Sequence, residues 1–84
     1  LGKLLIVDDD PSILSQLEVC LEDRFEVLTA DDSESAWRLV QEERPELMTL
    51  DLALSGDDLE SGFALLEKCL RFDPLMKIVM ISRD

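Results

Sequence analysis

Acidic residues follow two apolar segments of the chain, and their types and spacing suit a site for a divalent cation. Asp8, Asp9 and Asp10 come directly after the apolar run 4–7, and Asp51 ends a second apolar run. Apolar runs of this length predict strands buried on both faces of a parallel sheet. The carboxyl ends of such strands meet at one edge, where carboxylates repel each other unless a hard cation lies among their oxygens. The sequence therefore predicts a metal-dependent site.

Four predicted strands and three predicted helices alternate along the chain. The strands comprise residues 4–7, 25–28, 47–51 and 77–82, and the helices comprise residues 11–22, 33–43 and 61–71. Asp10 and Pro11 form a favourable start for the first helix. The stripe of this helix that is predicted to pack inward consists of Ile13, Leu14, Leu17 and Leu21. With right-handed crossovers, the order βαβαβαβ predicts an α/β fold, a doubly wound parallel sheet with helices on both faces.

Size and charge exclude several classes of function. The 84 residues form one domain, and twenty acidic against eight basic residues give a net charge of −12. This charge argues against direct binding of nucleic acid or an anionic membrane. No apolar stretch is long enough for a membrane span, so we expect a cytoplasmic protein. Cys20 and Cys69 lie in separate predicted helices, form no recognisable disulfide or metal motif, and are interpreted as small core or helix residues.

The last predicted strand is apolar on both faces, as is typical of an interior strand, but no further strand follows it. Residues 78–81 read Ile-Val-Met-Ile, and the sequence ends at residue 84. An exposed apolar edge of this kind invites pairing with another chain. We therefore expect a fragment of a longer protein, and self-association through strand 4 or the adjacent helix 3.

Three segments together resemble the receiver domain of two-component response regulators. They read LLIVDDDPS from residue 4, PELMTLDL from residue 45 and KIVMIS from residue 77. The resemblance covers the whole chain but only four of the family's five strands. It implies a flavodoxin-like (CheY-like) fold with strand order 2-1-3-4-5, incomplete here because the last helix–strand–helix unit is missing. Residues 1–84 would be the N-terminal portion of a receiver domain, and an output domain would lie outside this chain.

The resemblance also implies roles for individual residues. Asp51 would accept a phosphoryl group from a sensor histidine kinase. Mg²⁺, with Mn²⁺ as an alternative, would be held by Asp9, Asp51 and the Ala53 backbone carbonyl, and by Asp8 through water. Ser82 would supply the switch hydroxyl that hydrogen-bonds a phosphoryl oxygen. Such a module assists its own phosphorylation and dephosphorylation but is not a classical enzyme, and it would switch a downstream, transcriptional output.

Several residues depart from the family pattern. Ser55 stands where proline is usual, Gly62 lies about three residues further from the acceptor than usual, and Arg83 replaces a small residue. The lysine that the family carries on strand 5 is absent. Lys3 and Lys77 open their strands, so they are predicted at the edge opposite the acids and cannot replace it.

Two other functions are compatible with the residues. An aspartyl-phosphate hydrolase also uses an acid nucleophile after a strand, and Asp8 with Asp10 forms an Asp-x-Asp pair. A non-phosphorylated interaction or dimerisation module would keep the fold without the switch. Four further aspartates are interpreted as solvated caps and loop charges, namely Asp31, Asp32, Asp57 and Asp58. Trp37 is interpreted as a packing residue.

Overall fold

The computed structural model describes residues 1–51 and 59–81, and within them the predicted element order is confirmed. The elements are β1 (Gly2–Val7), α1 (Pro11–Leu21), β2 (Phe25–Ala30), α2 (Ser33–Glu43), β3 (Leu47–Asp51), α3 (Leu59–Phe72) and β4 (Lys77–Ile81). Among the described residues, no helix has both the length and the apolar character that crossing a membrane requires.

All four strands form one parallel sheet in the order β2-β1-β3-β4. Leu5 of β1 is in register with Leu28 of β2 and with Met48 of β3. The interior strands β1 and β3 carry the most deeply buried side chains, which follows from their continuous apolar sequence. This is the doubly wound, CheY-like arrangement that the sequence predicts.

Helices cover the two faces of the sheet unequally. On one face α2 packs against β1 and β2, α3 packs against α2, and the core there includes Ala36, Val40, Leu65 and Cys69. On the other face α1 packs against β1 and β2. The predicted inward stripe of α1 is only half-buried, and α1 contains no fully buried residue. These stripe residues are nevertheless the only partly buried residues of α1, and the rest of the helix is exposed, so the predicted inward stripe is confirmed.

Element ends differ from the predicted ones by up to two residues. Helix α3 begins at Leu59, two residues before the predicted start at Ser61. Gly62 costs a helix interior about 1 kcal/mol, which the packing of Leu65 and Cys69 from the same helix outweighs. Strand β2 continues to Ala30 because Ala30 pairs with the end of β1. At the described end of the chain β4 reaches Ile81.

Local contacts explain how α2 ends and how it packs on α3. Arg44 adopts a left-handed conformation with φ 47°, and its N–H donates to the Val40 carbonyl at 3.1 Å. This cap ends the helix just before Pro45, which the sequence indicates as the helix breaker. The rings of Trp37 and Phe72 meet edge to face, with centroids 5.6 Å apart. Trp37 is thus a packing residue, as predicted.

The two cysteines have different surroundings. Cys69 is buried between the sheet and α3, and this burial raises the pKa of its thiol to about 11. Cys20 is exposed on α1. The interpretation as small core or helix residues is therefore confirmed, with Cys69 in the core and Cys20 an exposed helix residue.

Candidate functional site

The acids after β1 and at the end of β3 meet at one edge of the sheet. Val7, the last residue of β1, is in register with Leu50, so the residues that follow, Asp8 and Asp51, lie side by side. Asp8, Asp9 and Asp51 each offer a carboxylate oxygen, and these oxygens all lie within 4.8 Å of one another. The structure thus brings together the three acids that the sequence pattern places at this edge. We refer to Asp8, Asp9 and Asp51 as the acid cluster.

The members of the acid cluster differ in burial. Asp51 is 0% exposed and Asp8 is 4% exposed, whereas Asp9 is open to solvent. Buried carboxylates are costly unless positive charge or hydrogen bonds compensate them. Three oxygen donors at this spacing are the ligands that a hard divalent cation prefers. The donor set and its burial therefore fit a magnesium-type cation.

Backbone hydrogen bonds fix Asp8 in place. The Asp8 N–H donates to the Ala30 carbonyl at 3.1 Å, and the Asp10 N–H donates to Asp8 Oδ1 at 2.9 Å. Asp10 itself caps α1, since its Oδ1 accepts from the Ser12 N–H at 2.9 Å. The capping role predicted for Asp10 is confirmed, and this residue positions Asp8 through its own backbone.

Part of the predicted site lies outside the described residues. The Ala53 carbonyl and the Ser82 hydroxyl belong to this part, as do the departures at Ser55 and Arg83 and the loop acids Asp57 and Asp58. Their assignments therefore stay predictions.

The lysines lie where the sequence places them, at the sheet edge opposite the acid cluster. Lys3 Nζ donates to Glu43 Oε1 at 2.8 Å and lies 3.8 Å from Glu26. The hydrogen bond to Glu43 raises the pKa of Lys3 above its usual value. Lys77 begins β4 and is in register with Leu47 at the beginning of β3. Within one chain, neither ammonium group can join the acid cluster.

Asp32 and Thr49 are two further polar residues near the acid-bearing ends of the strands. Asp32 caps α2 by accepting from the Ser35 N–H at 2.7 Å, and this hydrogen bond lowers the pKa of Asp32. Thr49 buries its hydroxyl oxygen without a hydrogen-bond partner in the described part of the chain. It lies on the same strand face as Asp51, two residues before it. A lone polar residue in the apolar β3 run was the available signal for Thr49, and the sequence interpretation did not use it.

Comparisons with known proteins agree with this geometry. The family model of the response regulator receiver domain matches residues 4–84. The transcriptional regulatory protein AfsQ1 of Streptomyces coelicolor is 35% identical over 83 residues, which are 98% of this chain and 36% of that protein. A CheY-like receiver domain protein from Methanospirillum hungatei has a TM-score of 0.87 and 32% identity, covering 98% of this chain and 64% of that one.

A third relative was solved with its site in a reacted form. A response regulator from Burkholderia pseudomallei, whose crystal structure contains a phosphorylated aspartic acid, a calcium ion and citrate, has a TM-score of 0.86 and 28% identity. The match covers 98% of this chain and 47% of that one. This chain therefore spans less than two thirds of the length of each of the three relatives.

Proposed function

Because the chain belongs to the response-regulator receiver family, we propose that Asp51 is its phosphoacceptor in two-component signalling. The observation that carries this proposal is the position of Asp51 at the end of β3, fully buried and within 4.8 Å of two further carboxylates. A carboxylate in this place can act as a nucleophile toward phosphorus. Its neighbours can hold the cation that the reaction of two anions needs.

We propose that the acid cluster holds Mg²⁺, and that Mn²⁺ can replace it. Receiver domains generally bind Mg²⁺ at an acidic pocket, and the oxygen donors of Asp8, Asp9 and Asp51 fit that ion. The Ala53 carbonyl would add a further oxygen ligand, as the family resemblance implies. When bound, the ion would supply positive charge to offset the phosphoryl oxygens and to orient the donor.

The acid cluster and Ser82 have separate proposed roles in the reaction. Asp51 supplies the attacking oxygen, and its burial limits the access of water to the acyl phosphate that results. Asp8 is held in orientation by the Asp10 N–H, so that its position does not depend on the incoming group. Asp9 is the solvent-facing member of the cluster, and it marks the side from which a donor can approach. Ser82 would hydrogen-bond a phosphoryl oxygen.

Partners and output follow from the family as proposals. The phosphoryl donor would be a sensor histidine kinase, and the regulated output would be transcription in the cytoplasm, carried by a domain outside residues 1–84. The relative AfsQ1 is a transcriptional regulatory protein, and this chain matches 36% of it. The high negative charge of the chain argues that this segment does not itself bind nucleic acid or a membrane. The relatives are regulators and not classical enzymes.

The test is phosphorylation by a small donor such as acetyl phosphate in the presence of Mg²⁺. We expect the intact mass to rise by one phosphoryl group, and borohydride trapping to map the group to Asp51. Asp51→Asn should abolish uptake and leave the metal-free fold equally or more stable, because one of three like charges disappears. Asp31→Asn removes an exposed acid outside the cluster and is the matched control.

The outcomes also separate the two other functions. Trapping on Asp8 would indicate the hydrolase chemistry, in which the first strand supplies the nucleophile. Magnesium binding without any phosphoryl uptake would indicate an interaction module that has lost the switch. Either result would refute the phosphoacceptor role of Asp51.

A further inference from the structure

Helices α2 and α3 lie side by side on one face of the sheet, and a groove runs between their outward surfaces. Two adjoining cavities of about 300 Å³ and 290 Å³ form this groove, and both are lined by Ala64 and Lys68. Half-buried Trp37 and buried Leu65 line the first cavity. From Ala64 to Arg71 the groove follows two turns of α3, which is about 10 Å. We refer to this depression as the α2–α3 groove.

Both walls of the α2–α3 groove belong to elements that the structure describes. Helix α2 packs against β1 and β2, and α3 packs against α2. Since the sheet order is β2-β1-β3-β4, the groove lies on the side of α3 that faces away from β4. A further strand of a receiver sheet adds beside β4, on the other side of α3. The α2–α3 groove is therefore a surface of this chain whatever element lies next to β4.

Two cations beside the groove stand over aromatic rings and form no ion pair among the described residues. Lys68 Nζ lies 5.7 Å from the centroid of the Trp37 ring, and Arg44 Cζ lies 4.9 Å from the centroid of the Phe72 ring. The two rings are in edge-to-face contact, so the cations and rings form one continuous seam along α2 and α3. A cation–π contact orients a cation without neutralising its charge. Both cations are exposed and can therefore pair with an anion from outside the chain.

The charge balance of the α2–α3 groove is opposite to that of the chain. Residues 1–51 and 59–81 together carry seventeen acidic and seven basic side chains. Around the groove, in contrast, the cations Arg44, Lys68 and Arg71 outnumber the acids Glu34 and Glu67. Arg71 and Glu67 pair with each other at 2.7 Å. Two cations and Glu34 then remain to meet a partner, and this local balance favours an anionic one.

The shape of the groove favours a helical partner. An open groove between two helices suits an amphipathic helix laid along it. Trp37, which Lys68 overlies, and Arg44 are seven residues apart on α2, which is about 10 Å along the helix axis. Two acids seven residues apart on a docking helix can therefore reach both cations. Apolar residues at the positions between them would lie over Trp37.

We propose that the α2–α3 groove docks an acidic amphipathic helix of a partner protein. Apolar side chains of that helix contact Trp37, and its carboxylates pair with Lys68 and Arg44. Tryptophan and arginine are the residue types that are enriched among the energetically dominant residues of interfaces. The groove shares no residue with the acid cluster. Docking here therefore goes beyond the phosphoacceptor role of Asp51 and leaves that site open to a phosphoryl donor.

The first experiment titrates the whole 84-residue chain with a synthetic peptide of about 15 residues, the length that an isolated helix needs. The peptide carries two glutamates seven residues apart, with leucines at the positions three and four residues after the first. Trp37 is the only tryptophan of the sequence, so its fluorescence reports on the groove. We expect a saturable change with a dissociation constant below about 1 mM. Unchanged fluorescence at higher peptide concentration would overturn the proposal.

Three controls identify what the groove recognises. A peptide with glutamine in place of both glutamates should bind about fivefold more weakly or worse. N-acetylglutamate at the same carboxylate concentration should leave the fluorescence unchanged. Light scattering should show a monomer in complex with one peptide. Equal binding of the glutamine peptide, an equal response to N-acetylglutamate, or a dimer that occupies the groove with a second copy would each refute an acidic helix as the occupant.

The second experiment tests the location by charge reversal, with binding measured by calorimetry. Lys68→Glu should raise the dissociation constant of the acidic peptide by about tenfold or more, because a like charge then faces a glutamate. Arg24→Glu makes the same change of charge at an exposed position beyond α1 and should change it by about twofold or less. Far-UV circular dichroism checks that both variants keep the fold. Equal effects of the two reversals would rule out the groove.

The third experiment uses Glu34, the acid of the groove that lacks an ion pair among the described residues. Glu34→Lys removes a repulsion and adds an attraction, so it should tighten binding of the acidic peptide by about fivefold or more. Glu18→Lys makes the same change on α1, which covers the other face of the sheet, and should alter binding by about twofold or less. Unchanged or weaker binding by Glu34→Lys would contradict the proposed position of the helix.

Failure of this inference can be told apart from failure of the proposed function. The Lys68→Glu variant can be assayed for phosphoryl uptake on Asp51, which we expect to equal that of the unmodified chain. A chain that takes up the phosphoryl group but binds no acidic peptide keeps its function and refutes the docking site. A chain that binds the peptide through Lys68 but takes up no phosphoryl group does the reverse.

Discussion

Among the described residues, the two outer strands of the sheet, β2 and β4, differ in how many helices pack against them. Helices α1 and α2 both pack against β2, and Glu26 places a charge within that strand. Strand β4 packs mainly against β3, with Val79 and Met80 exposed and Ile78 partly buried against the core. A parallel sheet needs cover on both faces. Two apolar strands of the same sheet therefore differ in exposure because helices α1 and α2 pack against β2.

Charged side chains are also distributed unequally between residues 1–51 and residues 59–81. The acid cluster and most other acids belong to the well-packed residues 1–51, whereas residues 59–81 carry equal numbers of acidic and basic side chains. Perturbations of the first region should therefore act on folding and on cation binding. The second region also contributes Leu65 and Cys69 to the core, so changes at its buried positions should act on folding as well.

The largest expected effect is on the free energy of unfolding, when a charged side chain is placed in β2 or in β4. Leu28→Asp puts a carboxylate against the core and should lower the free energy of unfolding by about 3 kcal/mol or more. Val79→Asp lies on the exposed edge and should lower it by less than about 1 kcal/mol. Urea unfolding at concentrations too low for association measures both. Leu28→Asn has the shape of Leu28→Asp without the charge and is the control. Equal losses of unfolding free energy for Leu28→Asp and Val79→Asp would contradict the expected difference between β2 and β4.

Magnesium should stabilise the acid-rich region through the acid cluster. At ten times the dissociation constant, mass action alone adds about 1.4 kcal/mol to the free energy of unfolding. Calorimetric scans with Mg²⁺, and with NaCl at matched ionic strength as the control, measure the rise in melting temperature. Asp8→Asn should reduce this rise, and Asp31→Asn should leave it unchanged. An identical response to both salts would exclude the site.

Helix α2 packs against β2, and the cap at its start should contribute less to the free energy of unfolding than bound Mg²⁺ does. Asp32→Ala removes the acceptor of the Ser35 N–H and should cost about 1 kcal/mol at neutral pH. Because the pKa of Asp32 is lowered in the folded chain, its contribution is present above the usual aspartate pKa. It is lost as the pH falls through the lowered value. Denaturant midpoints of wild type and variant should therefore converge in acid, with Asp31→Ala as the control. A difference between the two midpoints that persists in acid would show that the Asp32 carboxylate is not the source of the stabilisation.

The smallest effect should come from the ion pairs at the periphery. Lys3 and Glu43 are about one third exposed, whereas Arg71 and Glu67 are exposed by more than half. Lys3→Met should therefore destabilise the chain more than Arg71→Met does. Added salt should reduce the difference in stability between the two variants, because it screens both ion pairs. The pKa of Lys3 is raised, so its contribution is present below the usual lysine pKa and lost as the pH rises through the raised value. Thermal melts at neutral and alkaline pH compare the two variants, and a larger loss for Arg71→Met would reverse the ranking.

The sequence by itself determined the element order and the acids of the candidate site, whereas the sheet order was implied by the resemblance to the receiver family. Apolar runs that end in Asp8 and Asp51 are local signals, and the carboxyl ends of parallel strands lie at the same edge of the sheet, where these acids meet. Asp10 as a helix cap was equally local, because it depends only on the neighbouring Pro11 and Ser12.

Only the tertiary structure decided which apolar residues are buried and where α3 begins. Cys20 and Cys69 look alike as helix residues, yet one faces solvent and the other the sheet, because cover depends on which strands a helix crosses. Helix α3 begins at Leu59 instead of the predicted Ser61, and packing further along the helix outweighs the local cost of Gly62. The pairing of Asp51 with Ile81 is likewise a property of strand register, which no local pattern in either strand specifies.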